Sequence, residues 1–264
     1  MKQILYAFLL LMVLNLSLMA GPLSALYVTQ WYNGNIAVIQ GNQIINQWAR
    51  SGNGEISIAV SDTVKTFGHS PSSPYNVGAQ YTLNGTYTGT QYVKTSAVHN
   101  YTWDGTTDGQ YNYTIDHYAA GSYAAGGVYR YDSNWSNPVH LFSTGQNDLS
   151  ITYDPTNDSF WVSSWGAYTV RNYSRSGSLL SSFSTPYSHI SALALDHADN
   201  TLWFTQGSNT FYQYSKSGTA LSSVTISGIT GNVYGAEFAY SVPEPAGLFF
   251  LGLAIAVFSF LRKK

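Results

Sequence analysis

From about residue 25 to residue 240, short apolar runs alternate with clusters of Gly, Asn, Asp, Ser and Thr. Runs this short, rich in β-branched and aromatic side chains and bounded by turn formers, predict many short strands joined by tight turns. Two stretches repeat each other. Ile151 to Ser163 contains Asp154-Pro155 followed by Phe160-Trp161-Val162, and Leu193 to Thr205 contains Asp196-His197 followed by Leu202-Trp203-Phe204, at an offset of 42. Downstream, Tyr173-Ser174-Arg175-Ser176-Gly177 is answered by Tyr214-Ser215-Lys216-Ser217-Gly218 at an offset of 41. Each unit reads as four strands, with the Gly of the Ser-x-Ser-Gly turn supplying a positive φ. A four-stranded unit every forty-odd residues is the pattern of a propeller blade.

The same register extends to both ends of the body. Leu26-Tyr27-Val28 aligns with Phe160-Trp161-Val162, and Ile36 and Ile39 fall on Val170 and Tyr173. The N-terminal part therefore supplies strands two to four of a blade and no first strand. The missing strand is found in residues 234–240, which align with the strand beginning at Ser191. The expected fold is all-β: a propeller closed by N-terminal strands pairing with a C-terminal one, which removes the exposed sheet edges. Between Gly54 and Thr144 the repeat is degenerate. Residues 55–60 and 80–83 read as strands, residues 104–109 as a turn between strands, and residues 127–132 as a third strand. That stretch has room for two blades, giving five in all, with six as the alternative.

Composition narrows the function classes. Charged residues are 9% of the chain and aromatics 16%, with 22 Tyr and 7 Trp. Low charge with this aromatic content is not the signature of disorder. The absence of Cys excludes disulfides, thiol catalysis and thiolate metal sites. From Gly21 to Pro245 there are thirteen acidic and seven basic residues, and no basic stripe, which argues against nucleic-acid binding.

The two ends predict export. Lys2 precedes an apolar run from Ile4 to Leu14, and Ala20-Gly21 is a plausible cleavage point, so residues 1–20 read as a signal peptide. The alternative is an uncleaved N-terminal anchor. After the body (residues 21–241), Val242-Pro243-Glu244-Pro245 leads into an uncharged apolar segment, residues 246–261, and the basic end Arg262-Lys263-Lys264. As a helix that segment would span about 24 Å, a little under a hydrocarbon core. The basic end would remain cytoplasmic.

This tail resembles the PEP-CTERM sorting signal of bacterial envelope proteins: sorting motif 242–245, transmembrane helix 246–261 and basic stop 262–264. The resemblance covers about 23 residues, and the alternative is an ordinary tail anchor. It implies an exosortase-type membrane protease as partner and an inner-membrane-anchored precursor. It also implies final release to, or attachment at, the cell surface or extracellular matrix, often alongside exopolysaccharide. The blades themselves resemble those of NHL-like and gluconolactonase-type propellers, where Asp-Pro before a Leu/Phe-Trp-Val strand is common.

No catalytic constellation is legible. His69, His99, His117, His140, His189 and His197 lack metal-ligand spacing. Asp154 and Asp196 recur with the blade period, which favours turn capping. Asp104, Asp108, Asp196 and Asp199 could hold a cation weakly, but none lies in a run dense enough for a Ca²⁺ loop. No cofactor or metal is expected, with Ca²⁺ the one ion left open. Glu237 is the notable singleton: it falls on the innermost strand of the closing blade, where its equivalents are Thr152 and Ala194. There it would face the channel with a raised pKa, read chiefly as a carboxylate bonded to backbone amides. Trp31 and Trp165 occupy equivalent positions just beyond their strands and could pack in the core or stack on sugars. The expected function is a noncatalytic binding or structural protein of the surface or matrix, engaging polysaccharide or surface proteins. The alternative is a metal-dependent hydrolase or lyase working at the channel mouth.

Overall fold

The computed structural model describes residues 21–31, 34–95, 100–119, 125–144 and 147–240. The expected signal peptide through Ala20, the expected sorting motif Val242 to Pro245, the expected membrane helix and Arg262 to Lys264 lie outside the described residues. Among the described residues no helix is long and apolar enough to cross a membrane.

Among the described residues, twenty strands form five four-stranded antiparallel sheets. Blade 1 combines β1 (Leu26–Gln30), β2 (Ile36–Gln40) and β3 (Gln43–Trp48) with β20 (Val233–Phe238). Blade 2 is β4 (Glu55–Val60), β5 (Thr63–Gly68), β6 (Val77–Thr82) and β7 (Tyr87–Val93). Blade 3 is β8 (Asn100–Thr107), β9 (Tyr111–Ala119), β10 (Ala125–Asp132) and β11 (Val139–Ser143). Blade 4 is β12 (Asp148–Asp154), β13 (Ser159–Ser164), β14 (Thr169–Ser174) and β15 (Leu179–Ser184). Blade 5 is β16 (Ala192–Asp196), β17 (Thr201–Thr205), β18 (Thr210–Tyr214) and β19 (Ala220–Thr225). The count is five, and the six-blade alternative falls.

Closure follows the expected register. Leu26 pairs with Phe238 and Tyr27 with Glu237, while Trp161 pairs with Thr152 and Trp203 with Ala194. Glu237, Thr152 and Ala194 are thus equivalent positions. One expectation fails: Asp104 is not in a turn. It lies within β8, the innermost strand of blade 3, and the turn begins only at Asp108. The Asp-Gly pair at 104–105 misled the sequence reading, because Asp and Gly are depleted in strands.

Among the described residues five apolar clusters fill the five clefts between neighbouring blades. Between blades 3 and 4, Tyr113, Ile115 and Val128 meet Ile151, Phe160 and Val162. Between blades 4 and 5, Trp161 and Val170 meet Leu193, Leu202 and Phe204. Blades 5 and 1 join through Trp203, Phe211, Leu26 and Phe238, and blades 1 and 2 through Tyr27, Val38, Ile58 and Tyr81. The repeated aromatic-aliphatic run of strand two therefore buries one face against each neighbour, which is why it recurs with the blade period. The cleft between blades 2 and 3 departs from this pattern, holding only Ala59 beside Phe67, Tyr92, Tyr131 and Trp135. Asp154 and Asp196 act as turn caps, accepting from Thr156 N and Ala198 N at 3.0 Å. Asp196 also holds the entry of the chain through Leu23 N, Ser24 N and the Ser24 hydroxyl.

Candidate functional site: a sealed channel beneath an aromatic basin

An innermost strand has no partner on its axial side, so its amides there need acceptors. Asp104 supplies them. Its carboxylate accepts from Gly105 N (2.8 Å), Ala236 N (3.1 Å), Leu193 N (3.1 Å) and Ile151 N (3.4 Å). Ala236, Leu193 and Ile151 pair across their blades with Val28, Phe204 and Val162, so they are repeat-equivalent. Three symmetry-related amides therefore converge on one carboxylate and, with Gly105 N, occupy its four lone-pair directions. One layer away, Thr106 Oγ1 accepts from Tyr153 N and Thr152 Oγ1 from Leu195 N, the same bond made one blade further on.

Glu237 completes the plug. It is 2% exposed, accepts from Phe238 N at 3.2 Å, and receives the Thr152 hydroxyl at 3.5 Å. Its Oε2 has no protein hydrogen-bond partner among the described residues. Burial pushes both carboxyls well above the ordinary range; four amides oppose this at Asp104, whereas the Asp104 charge adds to it at Glu237. The expected channel position of Glu237 is correct in its strand and facing. It lies inside a sealed channel, however, and not at a solvent-open mouth.

Above the plug, on the face carrying the loops between second and third strands, lies a basin of aromatic rings. Trp31 packs on Trp103 at 5.2 Å and edge-on to His69 at 4.6 Å between centroids. Trp103 packs on Tyr234 at 4.8 Å, and His69 stacks on Tyr101 at 5.0 Å. His69, Tyr101, Trp103, His117, Leu149 and Trp165 line a cavity of about 370 Å³, within the range of small-ligand pockets. Trp165 is 38% exposed and stands edge-on to His189. The two tryptophans singled out in the sequence thus part company: Trp31 is wedged into the ring cluster and Trp165 offers a free face at the rim. The Trp103 indole N–H is buried with no protein acceptor among the described residues.

The basin has little acid–base capacity. His69 Nδ1 lies 2.9 Å from the Thr102 carbonyl, which fixes the N–H there and leaves Nε2 as an acceptor. Burial pulls its pKa down to about 4, so the ring is neutral. Burial also lowers His117, whose Nδ1 faces the Asp148 carbonyl. The nearby Asp148 carboxylate is buried and ion-paired with Arg171. Among the described residues no group of three or more His, Asp or Glu side chains is placed to hold a metal ion. Of the aspartates considered for a cation, Asp108 pairs with Arg175 at 2.7 Å. Asp196 is bonded to the chain entry, and Asp199 to Thr201 and Gln213. Asp104 and Asp108 belong to blade 3 and Asp196 and Asp199 to blade 5, and the four share no site. His69, Trp103 and Tyr234 were missed as a group in the sequence, because they lie on three different blades with no common spacing.

No family model matches the chain, and no curated protein matches it. Its likeness to solved structures is one of fold. A chain of a nidogen/laminin complex superposes with a TM-score of 0.57 at 13% identity, covering 83% of this chain and 99% of that one. A protein of unknown function from Bacteroides caccae (TM-score 0.47, 15% identity, 81% of this chain and 77% of that one) is also similar. So is virginiamycin B lyase from Staphylococcus aureus (0.42, 19%, 74% and 57%). The nidogen/laminin likeness supports the propeller architecture.

Proposed function

We propose that this protein is an exported, noncatalytic propeller of the cell surface or extracellular matrix that binds polysaccharide in its aromatic basin. The observation that carries the reading is the pairing of an open, ring-lined basin with a channel whose two carboxyls, Asp104 and Glu237, are buried and accept from backbone amides. Sugars stack their C–H faces on aromatic rings, and the His69 acceptor offers a polar contact for a hydroxyl. Hydrolysis or elimination would need an accessible acid–base pair, and the nearest carboxylates are buried.

The address rests on the sequence of the two ends. Export follows from residues 1–20, and Val242 to Pro245 with the apolar segment and Arg262 to Lys264 form the sorting tail for an exosortase-type protease. Mass spectrometry of the protein recovered from its own cells tests this: the mature form should begin at Gly21 and lack the tail, and an intact C-terminus would refute the sorting. For the basin, the full chain in detergent is titrated with neutral and acidic polysaccharides and followed by tryptophan fluorescence. Trp165→Ala should weaken binding by about tenfold, the loss of one stacking contact of about 1.4 kcal/mol. Binding unchanged in Trp165→Ala and in Trp103→Phe would refute the basin as the site.

A further inference from the structure

The cleft between blades 2 and 3 is built differently from the other clefts. In blades 2, 4 and 5 the hairpin joining strands three and four places a glycine in the left-handed region: Gly85 (φ 89°), Gly177 (φ 84°) and Gly218 (φ 87°). Each of these amides closes the turn onto a carbonyl three residues back: Thr82, Ser174 and Ser215. The glycines also mark where one blade touches the outer strand of the preceding one. A Cβ at Gly177 would sit 2.6 Å from Phe142, and one at Gly218 would sit 2.5 Å from Phe183.

Blade 3 makes the same turn, with Trp135 N bonded to Asp132 O at 2.9 Å, but the residue is tryptophan at φ 60°. A bulky side chain in that region is strained by the approach of its Cβ to the following carbonyl. Two residues on, Asn137 is also left-handed at φ 50°. Trp135 turns into the cleft and lies flat on Phe67, ring centroids 4.9 Å apart and planes 7° apart. The Trp135 indole fills the cleft beside Phe67, and a groove of about 530 Å³, larger than the basin cavity, is lined by this hairpin and the end of β7.

We propose that this groove is a second binding site, independent of the basin, for a neutral oligosaccharide. Its walls carry uncharged hydroxyls and amides, Thr90, Gln91 and Thr95 on one side and Asn134 and Asn137 on the other, above the buried Trp135. Such a lining matches the many hydroxyls and few charges of a neutral sugar chain. The one charged lining residue, Lys94, is 1% exposed and electrostatically tied to Asp116, so it does not select for an anion.

The test uses the full chain in detergent carrying Trp165→Ala, so that binding in the basin is weakened about tenfold. Cellohexaose, maltohexaose and chitohexaose are the probes, by calorimetry in the millimolar range. Binding of at least one should persist. Thr90→Trp, which fills the groove from an exposed position, should then weaken it by about tenfold or more. Trp135→Gly restores the residue used by the sister hairpins and removes the indole; it should remain folded by circular dichroism and lose the same binding. The proposal is overturned if no probe binds once Trp165 is gone, whatever the unmodified chain does. It is equally overturned if the remaining binding ignores both groove variants. Self-association abolished by Thr90→Trp would assign the groove to a second copy of the chain instead.

Discussion

The sharpest prediction concerns the two buried carboxyls of the channel, which resemble each other in burial and should behave in opposite ways. Asp104→Ala leaves Ile151 N, Leu193 N and Ala236 N without their acceptor in a site closed to solvent. An unsatisfied buried donor costs about 1–3 kcal/mol, so the loss is about 3–6 kcal/mol after partial relaxation. That is a large part of the 5–15 kcal/mol typical of a domain, and at about 2–4 °C per kcal/mol it lowers Tm by about 10–20 °C. Asp104→Asn keeps one acceptor oxygen and turns an amine toward two of the donors, so about half of the penalty should appear. Glu237→Gln, by contrast, loses no charged partner and keeps an acceptor for Phe238 N. Because the folded-state pKa of Glu237 is raised, its contribution is fully present below the unfolded value near 4.3 and is lost as pH rises toward the folded value. The glutamine variant should therefore match the parent near pH 4 and exceed it as pH rises, by up to about 1.4 kcal/mol per pH unit. Urea denaturation at several pH values measures both effects. Asp104→Ala within about 1 kcal/mol of the parent, with an unchanged m-value, would show that solvent reaches those amides and would sink the sealed-channel account.

Three further outcomes follow from the same geometry. Burial depresses His69 to about 4, so its stabilisation is present above its unfolded value near 6.5 and is lost as pH falls toward 4. The loss is up to about 3 kcal/mol, and a His69→Asn variant compared with the parent by thermal denaturation should lack it. Gly177→Ala forces a methyl onto Phe142 at positive φ and should cost about 2 kcal/mol or more in chemical denaturation, whereas Ser176→Ala beside it should cost under about 0.5 kcal/mol. Phe160→Ala empties the cleft between blades 3 and 4 and should cost about 3–5 kcal/mol; a smaller loss would mean the neighbouring rings collapse into the space.

How much of this was legible in the sequence depends on what repeats. Phe160-Trp161-Val162 and Leu202-Trp203-Phe204 recur because every second strand must bury both faces against the neighbouring blades, and that demand writes the same pattern into each unit. The turn glycines recur for the same kind of reason, one backbone conformation needed at one place per blade. Glu237 could be set on its strand by that periodicity alone. Asp104 could not. Its role is to close the axis, where strands from four blades converge on one point and a single side chain serves them all. A residue with that role has no repeat-mates, and in local context Asp-Gly looks like a turn.

The aromatic basin and the groove share that logic. Three blades supply its ring cluster, with Trp31 and Tyr234 from blade 1, His69 from blade 2, and Tyr101 and Trp103 from blade 3. Their grouping exists only after the ring closes. Trp135 is hidden more thoroughly, since it occupies a turn position where a glycine would have been unremarkable, and the strain of placing an indole there is visible only in the backbone. Symmetric residues in a propeller answer to the fold, and each is explained by its counterparts in the other blades. A residue that departs from its counterparts at a cost in backbone strain needs a separate reason. At Trp135 that reason is written in what lies beside it, a groove lined by its own hairpin and the end of β7.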